Sequence, residues 1–554
     1  MRRASNGPTR RGVLAASLSL LAPLAGCARR AEASFDGGWV GAEHERGHLL
    51  RGAGLASKSG NLPEPALTRR AGALVVGAGI AGLAAARALM RAGVDDVRVL
   101  ELEDAAGGNS RGHTIAGMRC PLGAHYLPVP GDSAVEVIEL LEALGARRTE
   151  HGRAVYDERM LCHSPQERLF IGGGWREGLL PPLEALSASE RAATLSDYRV
   201  FSAVVAEAGD HEAFAIPTAR SRWSPMLDAL DATTFAAWLD ARGLRTPALR
   251  WYLDYCCRDD YGAGAAQVSA WAGLHYFASR HGFRAPGADA SSDAGEGVLT
   301  WPEGNAWLAE RLAAPLGDRL QAGCVALRVR EGRDDVSVDT WNAAMKQSER
   351  WIAPRVVLAT PLFISARLVE TPLPALLDAA RLMRYAPWLV ANLHLDAALD
   401  DRHGAPPSWD NVPYGDSGLG YVDAMHQSTR PFAGPTVLTV YRELGGNSMA
   451  ELASNRAQML SEDWRSRVDR IVAGLAVLHA DLPDKLRRAD LMRYGHAMSI
   501  PAPGVRSSAA LQALAVPQRR VHFAHADLSA YSVFEEALYH GTRAGRAAAT
   551  ARRA

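Results

Sequence analysis

Lysine is almost missing from this chain: Lys58, Lys346 and Lys485 are the only three in 554 residues, and arginine carries nearly all the positive charge. Net charge is missing too. Lys+Arg and Asp+Glu both number 61, so no overall field draws the chain to nucleic acid or to an anionic membrane surface. Cysteine is sparse. After Cys27 only Cys120, Cys162, Cys256, Cys257 and Cys324 remain, with no CxxC or Cys/His spacing. That excludes a disulfide framework and a zinc site, and no metal is expected. What is present is an ordinary globular balance, 48% hydrophobic and 22% charged, in a chain long enough for more than one domain and a large core.

The N-terminus is set apart from the fold. Thr9-Arg10-Arg11-Gly12-Val13-Leu14 is a twin-arginine pattern, and the apolar run Val13 to Leu24 behind it is shorter than the roughly 20 residues that cross a bilayer. Leu24-Ala25-Gly26-Cys27 resembles a bacterial lipobox, whose cysteine is acylated. The reading is a signal over 1–27, export by the twin-arginine route, and a periplasmic protein held to the membrane by lipid on Cys27. Residues 28–70, mixed and without a clear period, read as a tether, with Phe35 and Trp39 as the points where it packs.

The most informative stretch is ALVVGAGIAGLAAARALMRAG, Ala73 to Gly93. Leu74-Val75-Val76 has the continuous apolar character of a buried parallel strand. Gly77, Gly79 and Gly82 then form a GxGxxG. The first allows the tight turn, the second lets backbone approach a pyrophosphate, and the third lets helix and strand pack closely. The helix beginning near Ala81 aims its free N–H groups at that phosphate. The next strand ends in Glu101, placed to accept hydrogen bonds from an adenosine ribose; its charge argues against NADP.

Beyond it, LELEDAAGGNSRG over 100–112 resembles the acid-then-GlyGly signature of the flavin amine oxidase superfamily, which also includes protoporphyrinogen oxidases and carotenoid desaturases and isomerases. PLGAHYLP (121–128), GCVALRV, VVLATP (356–361) and VHFAHADLSAYSVFEEALYHGTRAGRAAA (521–549) resemble further family segments in the family's order. The resemblance implies an α/β fold: a Rossmann-type FAD-binding domain, split over 71–130, 297–365 and 488–554, with a mixed α+β substrate domain inserted at 131–296 and 366–487. It implies non-covalent FAD held by Gly77, Gly79, Ala81, Gly82, Glu101, Gly108, Asn109, Ala124, His125, Val325, Asp527 and Ala537. Asn109 stands where the family usually has arginine, and Asp527 is the expected ribityl-binding acid.

The activity so implied is hydride transfer from a small-molecule substrate to flavin N5, with oxygen or a quinone as electron acceptor. A flavin-dependent isomerase or desaturase acting on an apolar substrate, and a non-catalytic FAD-binding protein, stay open. The lysine that many relatives place after the re-entry strand is absent from ATPLFISARLVETPLP, and Val533 replaces the family's cage tyrosine. In WYLDYCCRDDYGAGAAQVSAWAGLHYFASRHG (251–282), Asp259-Asp260 fits either an acid for a cationic substrate or a helix cap. Tyr261 and His275 there, and His496 later, are the candidate residues of the substrate cavity.

Overall fold

The computed structural model describes residues 35–52, 64–209, 213–286, 297–517 and 519–550; the twin-arginine pattern and Cys27 lie outside them. Its first organising unit is a five-stranded parallel sheet in the order Leu320–Gln321, Val97–Leu100, Ala73–Val76, Val356–Leu358, Val521–Phe523. Segments far apart in sequence meet here because each is short and mostly apolar, and the central two, Ala73–Val76 and Val356–Leu358, are wholly apolar and buried, as a covered parallel sheet requires. The helices Ile80–Arg91 and Phe534–Thr550 pack against one another closely enough to require glycine. A β-carbon on Gly541 would lie 2.1 Å from the Ala81 carbonyl oxygen, and one on Gly545 2.4 Å from that of Ala85. A four-stranded sheet, Cys324–Glu331, Val336–Asn342, Gln347–Ala353 and Leu67–Arg70, completes this part.

The second unit is an eight-stranded mixed sheet running Asp36–Trp39, Leu486–Ser499, Tyr385–Leu395, Thr436–Glu443, Gly420–Asp423, Asp410–Pro413, Glu167–Ile171, Gly174–Glu177. Its long central strand is buried on both faces. Strand alternation sends Leu389, Ala391 and Leu393 into one core with Val468, Ile471 and Leu475 of the helix Trp464–Leu478. Trp388 and Val390 point the other way. The fold is thus the α/β arrangement expected, a split Rossmann-type unit carrying a mixed α+β insertion.

Two boundaries move. The segment expected as a tether is part of the body where it is described: Asp36–Trp39 adds a parallel strand beside Leu486–Ser499, and Leu67–Arg70 pairs with Gln347–Ala353. Four-residue edge strands are too short to show a hydrophobic period, which is why they are not legible in the sequence. Phe35 packs edge-on to Trp464, and Arg493 lies over the Trp39 ring. Likewise Leu486–Ser499 belongs to the eight-stranded sheet, so the last flavin-domain segment starts after it rather than at 488. Among the described residues no helix is long and apolar enough to cross a membrane, the five cysteines are unpaired, and no cluster of metal-binding side chains occurs.

Candidate active site

Where the first strand ends, Gly77 turns with φ of +96°, a conformation that favours glycine. A β-carbon on Gly82 would sit 1.8 Å from the Gly77 oxygen, so the third glycine of the motif does serve close helix–turn packing. Gly79 is the N-cap of Ile80–Arg91 and offers no side-chain acceptor, and the first turn carries no acid. The first-turn N–H groups are left without an intrahelical or capping partner. Beside them runs a second glycine turn. The Gly107 N–H donates to Ala78 O at 2.8 Å, and a β-carbon on Gly108 would come within 3.1 Å of Gly79 Cα.

These turns open onto a cavity. Gly77, Gly79, Ala81, Glu101, Gly108, Asn109 and Ala124 lie on its wall, joined from the far end of the chain by His496, Asp527 and Ala537. Glu101 is buried, and its carboxylate is fixed by two backbone donors: Oε2 accepts from Ala78 N–H at 2.6 Å and Oε1 from Glu103 N–H at 2.9 Å. Burial pushes its pKa up, against those two amides. Asp527 Oδ2 accepts from the Leu362 N–H at 2.9 Å and the Tyr385 hydroxyl at 2.5 Å, and Oδ1 lies 3.2 Å from His525 Nδ1. A bare helix N-terminus, a glycine cradle and an anchored carboxylate in one cavity fit a dinucleotide: anion at the helix, ribose at Glu101.

The sequence matches the family of flavin-containing amine oxidoreductases over residues 80–549. This chain belongs to that family. Its cofactor is FAD, and it is an oxidoreductase. Among solved structures similar to this flavin-containing amine oxidoreductase is cyclohexylamine oxidase from Brevibacterium oxydans IH-35A, at a TM-score of 0.63 and 19% identity, over 87% of this chain and 100% of that one. Putrescine oxidase bound to putrescine aligns at 0.60 and 18%, over 88% and 100%. A fatty acid isomerase from P. acnes aligns at 0.55 and 14%, over 85% and 97%. At such identities the likeness concerns the fold. Protein anon-37Cs of Drosophila melanogaster is 36% identical over 85 residues, 15% of this chain and 17% of the fly protein, so the match spans less than a fifth of that relative's length.

A second, inner cavity of about 780 Å³ adjoins the first. Asn109, Ala124, Ala497, Ser532, Val533 and Phe534 line both. Asn109 is held there by its Nδ2, which donates to Ala497 O at 2.6 Å. The inner walls are aromatic. Tyr441 and Tyr494 donate their hydroxyls to Gly123 O and Leu122 O, each at 3.0 Å, which pins both rings to the PLGAHYLP segment. Trp388 and Tyr126 add further wall. Beyond them stand Asp259, Asp260, Arg280 and Glu535.

Several expected positions are corrected. His125 faces the inner cavity, not the outer one, and stacks on Tyr441 at 4.3 Å; burial lowers its pKa to about 3, so it is neutral. Val325, expected to meet the adenosine through its backbone, has its side chain fully buried, while Cys324 and Ala326 on either side line the outer cavity, because side chains alternate along Cys324–Glu331. Gly82 packs rather than lines. His496 lines the outer cavity, against Phe363, and not the inner one. Tyr261 and His275 line neither. The Tyr261 hydroxyl donates to Ala272 O at 2.6 Å, and His275 Nε2 lies 3.0 Å from Ala215 O, both fully enclosed in the helical core. Asp259-Asp260 is not a cap: both sit inside the helix Pro247–Tyr261.

Trp388, Tyr441, Tyr494, Arg280 and Tyr385 were missed. The signal available for the first three was strand alternation in YAPWLVANLHL, TVLTVYRE and LRRADLMRYGHAMS.

Proposed function

We propose that this family member oxidises a small amine bound in the inner cavity, with Gly77, Gly79, Ala81, Glu101, Gly108, Asn109, Ala124, Asp527 and Ala537 holding FAD non-covalently in the outer one. The shared wall carries the reading: a substrate among the aromatic side chains meets the same residues, Asn109, Ala124, Ser532 and Val533, that border the cofactor cavity. When bound, FAD supplies the two-electron chemistry, accepting hydride from the carbon beside the amine nitrogen and passing the electrons to oxygen or a quinone.

The protein's own residues bind and orient. The aromatic walls take the substrate's apolar body and exclude water. Their faces attract a cation, and neutral His125 does not repel one. No lysine lines either cavity among the described residues. Lys485 donates at 2.7 Å to Ala398 O, Asp400 and Asp481 instead. The likeness in fold to putrescine oxidase and cyclohexylamine oxidase supports an amine as substrate. The isomerase neighbour supports a second reading, an apolar substrate rearranged without net electron transfer. Three carboxyls against one guanidinium in the inner cavity weigh against a fatty acid there. Anaerobic mixing with primary amines tests the proposal. Bleaching of the flavin band by an amine, with acceptor consumed in turnover, is expected; product formed without acceptor consumption would favour the isomerase.

We also infer export by the twin-arginine route and lipid attachment at Cys27, in the periplasm, from Thr9 to Leu14 and Leu24 to Cys27. Labelled palmitate incorporated by the full chain and not by Cys27→Ser is the expected result.

A further inference from the structure

Polar groups in the inner cavity are segregated. Those on the wall shared with the cofactor cavity are uncharged, while Asp259, Asp260, Arg280 and Glu535 line only the inner part. The guanidinium there is engaged by carboxylates. Its NH2 donates to both Asp260 oxygens at 3.0 and 2.7 Å and to the Tyr531 hydroxyl at 2.8 Å, and its NH1 lies 3.3 Å from Glu535 Oε1. Asp260 also accepts from Tyr531 at 2.5 Å.

That leaves one carboxylate oxygen without a donor and a second carboxyl with only a long, neutral one. Glu535 is 2% exposed, and its Oε2 has no hydrogen-bond partner among the described residues. Asp259 receives a hydrogen bond from the Tyr126 hydroxyl, 3.3 Å long, and none from a charged group among the described residues. Arg280 Nε is also without a partner, but an anion reaching it would meet the carboxylates of Asp260, Glu535 and Asp259. Buried acceptors in excess, in a net acidic pocket with aromatic walls, call for a compact cation rich in N–H donors.

We propose that Asp259 is a specificity-determining residue of this cavity and that it binds a second ammonium group of the substrate, remote from the carbon that is oxidised. The inference rests on the amine reading above and sharpens it. The oxidised carbon belongs at the shared wall, because the cofactor lies beyond it. A linear amine reaching from there toward Asp259 carries its second cation at the acidic end. Tyr126, whose hydroxyl reaches Asp259, lines the inner cavity two residues after Ala124, which lies on the shared wall.

The test is calorimetric titration of the FAD-loaded protein without oxygen. The probes are straight-chain α,ω-diamines, the matched n-alkylamines and the matched ω-amino acids. The best diamine is expected to bind at least about tenfold more tightly than its monoamine, the scale of one charge-assisted hydrogen bond, and the ω-amino acid most weakly. Asp259→Asn is expected to erase the diamine preference while leaving monoamine affinity and flavin content unchanged; Asp259→Glu keeps part of it. A wild-type protein with no diamine preference, or Asp259→Asn retaining it, overturns the proposal. Should Asp259→Asn lose its flavin, the wild-type comparison still decides. The two readings fail separately. Diamines that bind through Asp259 but leave the flavin oxidised defeat amine oxidation alone, and a flavin reduced equally by matched monoamines and diamines, with equal affinities, defeats the role of Asp259 alone.

Discussion

Glu101 Oε2 accepts the Ala78 N–H at 2.6 Å, tying the end of the second strand to the glycine turn after the first. The carboxylate proposed to receive a ribose is therefore fixed in place by the same turn that is proposed to receive the pyrophosphate. Glu101→Ala removes the acceptor for two buried amides and for the ribose together. Flavin affinity should fall at least about tenfold, because a hydrogen bond to a charged group is worth about 1.5–3 kcal/mol. Absorbance per chain after gel filtration measures it, and full occupancy would remove the adenosine from Glu101.

Gly79 and Gly82 should separate binding from folding. A methyl at Gly79 meets only Gly108 Cα, at 3.8 Å, yet stands on the cavity wall. Gly79→Ala should keep the apoprotein's melting temperature and weaken flavin binding. At Gly82 the methyl would lie 1.8 Å from the Gly77 oxygen. Gly82→Ala should cost the apoprotein about 1–3 kcal/mol, read as a lower Tm without any flavin present.

Burial pushes the Asp259 carboxyl up to about 7 from 3.8, with Asp260 adding to the shift and Tyr126, Arg280 and Arg258 opposing it; Asp410 also faces it. A carboxyl raised on folding binds more protons in the native state. Its contribution to stability is therefore full below about pH 4 and is lost as pH rises through about 7. Glu443, also raised to about 7, shares the window. Asp259→Asn should flatten part of the decline in Tm between those pH values, and Glu443→Gln another part. For a cationic ligand the sign is opposite: affinity should climb as pH rises through 7, and that climb should vanish in Asp259→Asn.

Denaturation should release all of the flavin. Cys324 lines the outer cavity, but burial raises its thiol to about 11, so it stays protonated and a poor nucleophile, and no cysteine follows it in the chain. Colour retained on the acid-precipitated protein would contradict this.

How much of this the sequence discloses depends on how local each cause is. The GxGxxG turn, Glu101 and the GlyGly turn are readable because a few adjacent residues decide the backbone path. The inner cavity is not, since Trp388, Tyr441 and Tyr494 come from three strands whose inward faces are set by pairing between residues far apart in the chain, Trp388 with Glu443 and with Tyr494. Local aromatic density misled in the same way: Tyr261 and His275 sit in a rich aromatic run that packs on itself. Cys324 and Ala326, not Val325, put side chains on the wall, because a strand's facing depends on where its register starts. Asp259 was visible, but whether an acid in a helix caps, pairs or faces a cavity is decided by what lies opposite.

The packing of Gly541 on Ala81 also sets an order of events. The glycine turn of the cofactor cavity starts at Gly77, and its wall takes Asp527 from the turn after the last strand and Ala537 from the last helix. A ribosome has therefore made almost the whole chain before a complete FAD site can exist. A nascent or prematurely released polypeptide stays colourless, and yellow colour becomes a certificate that synthesis and folding both reached the end.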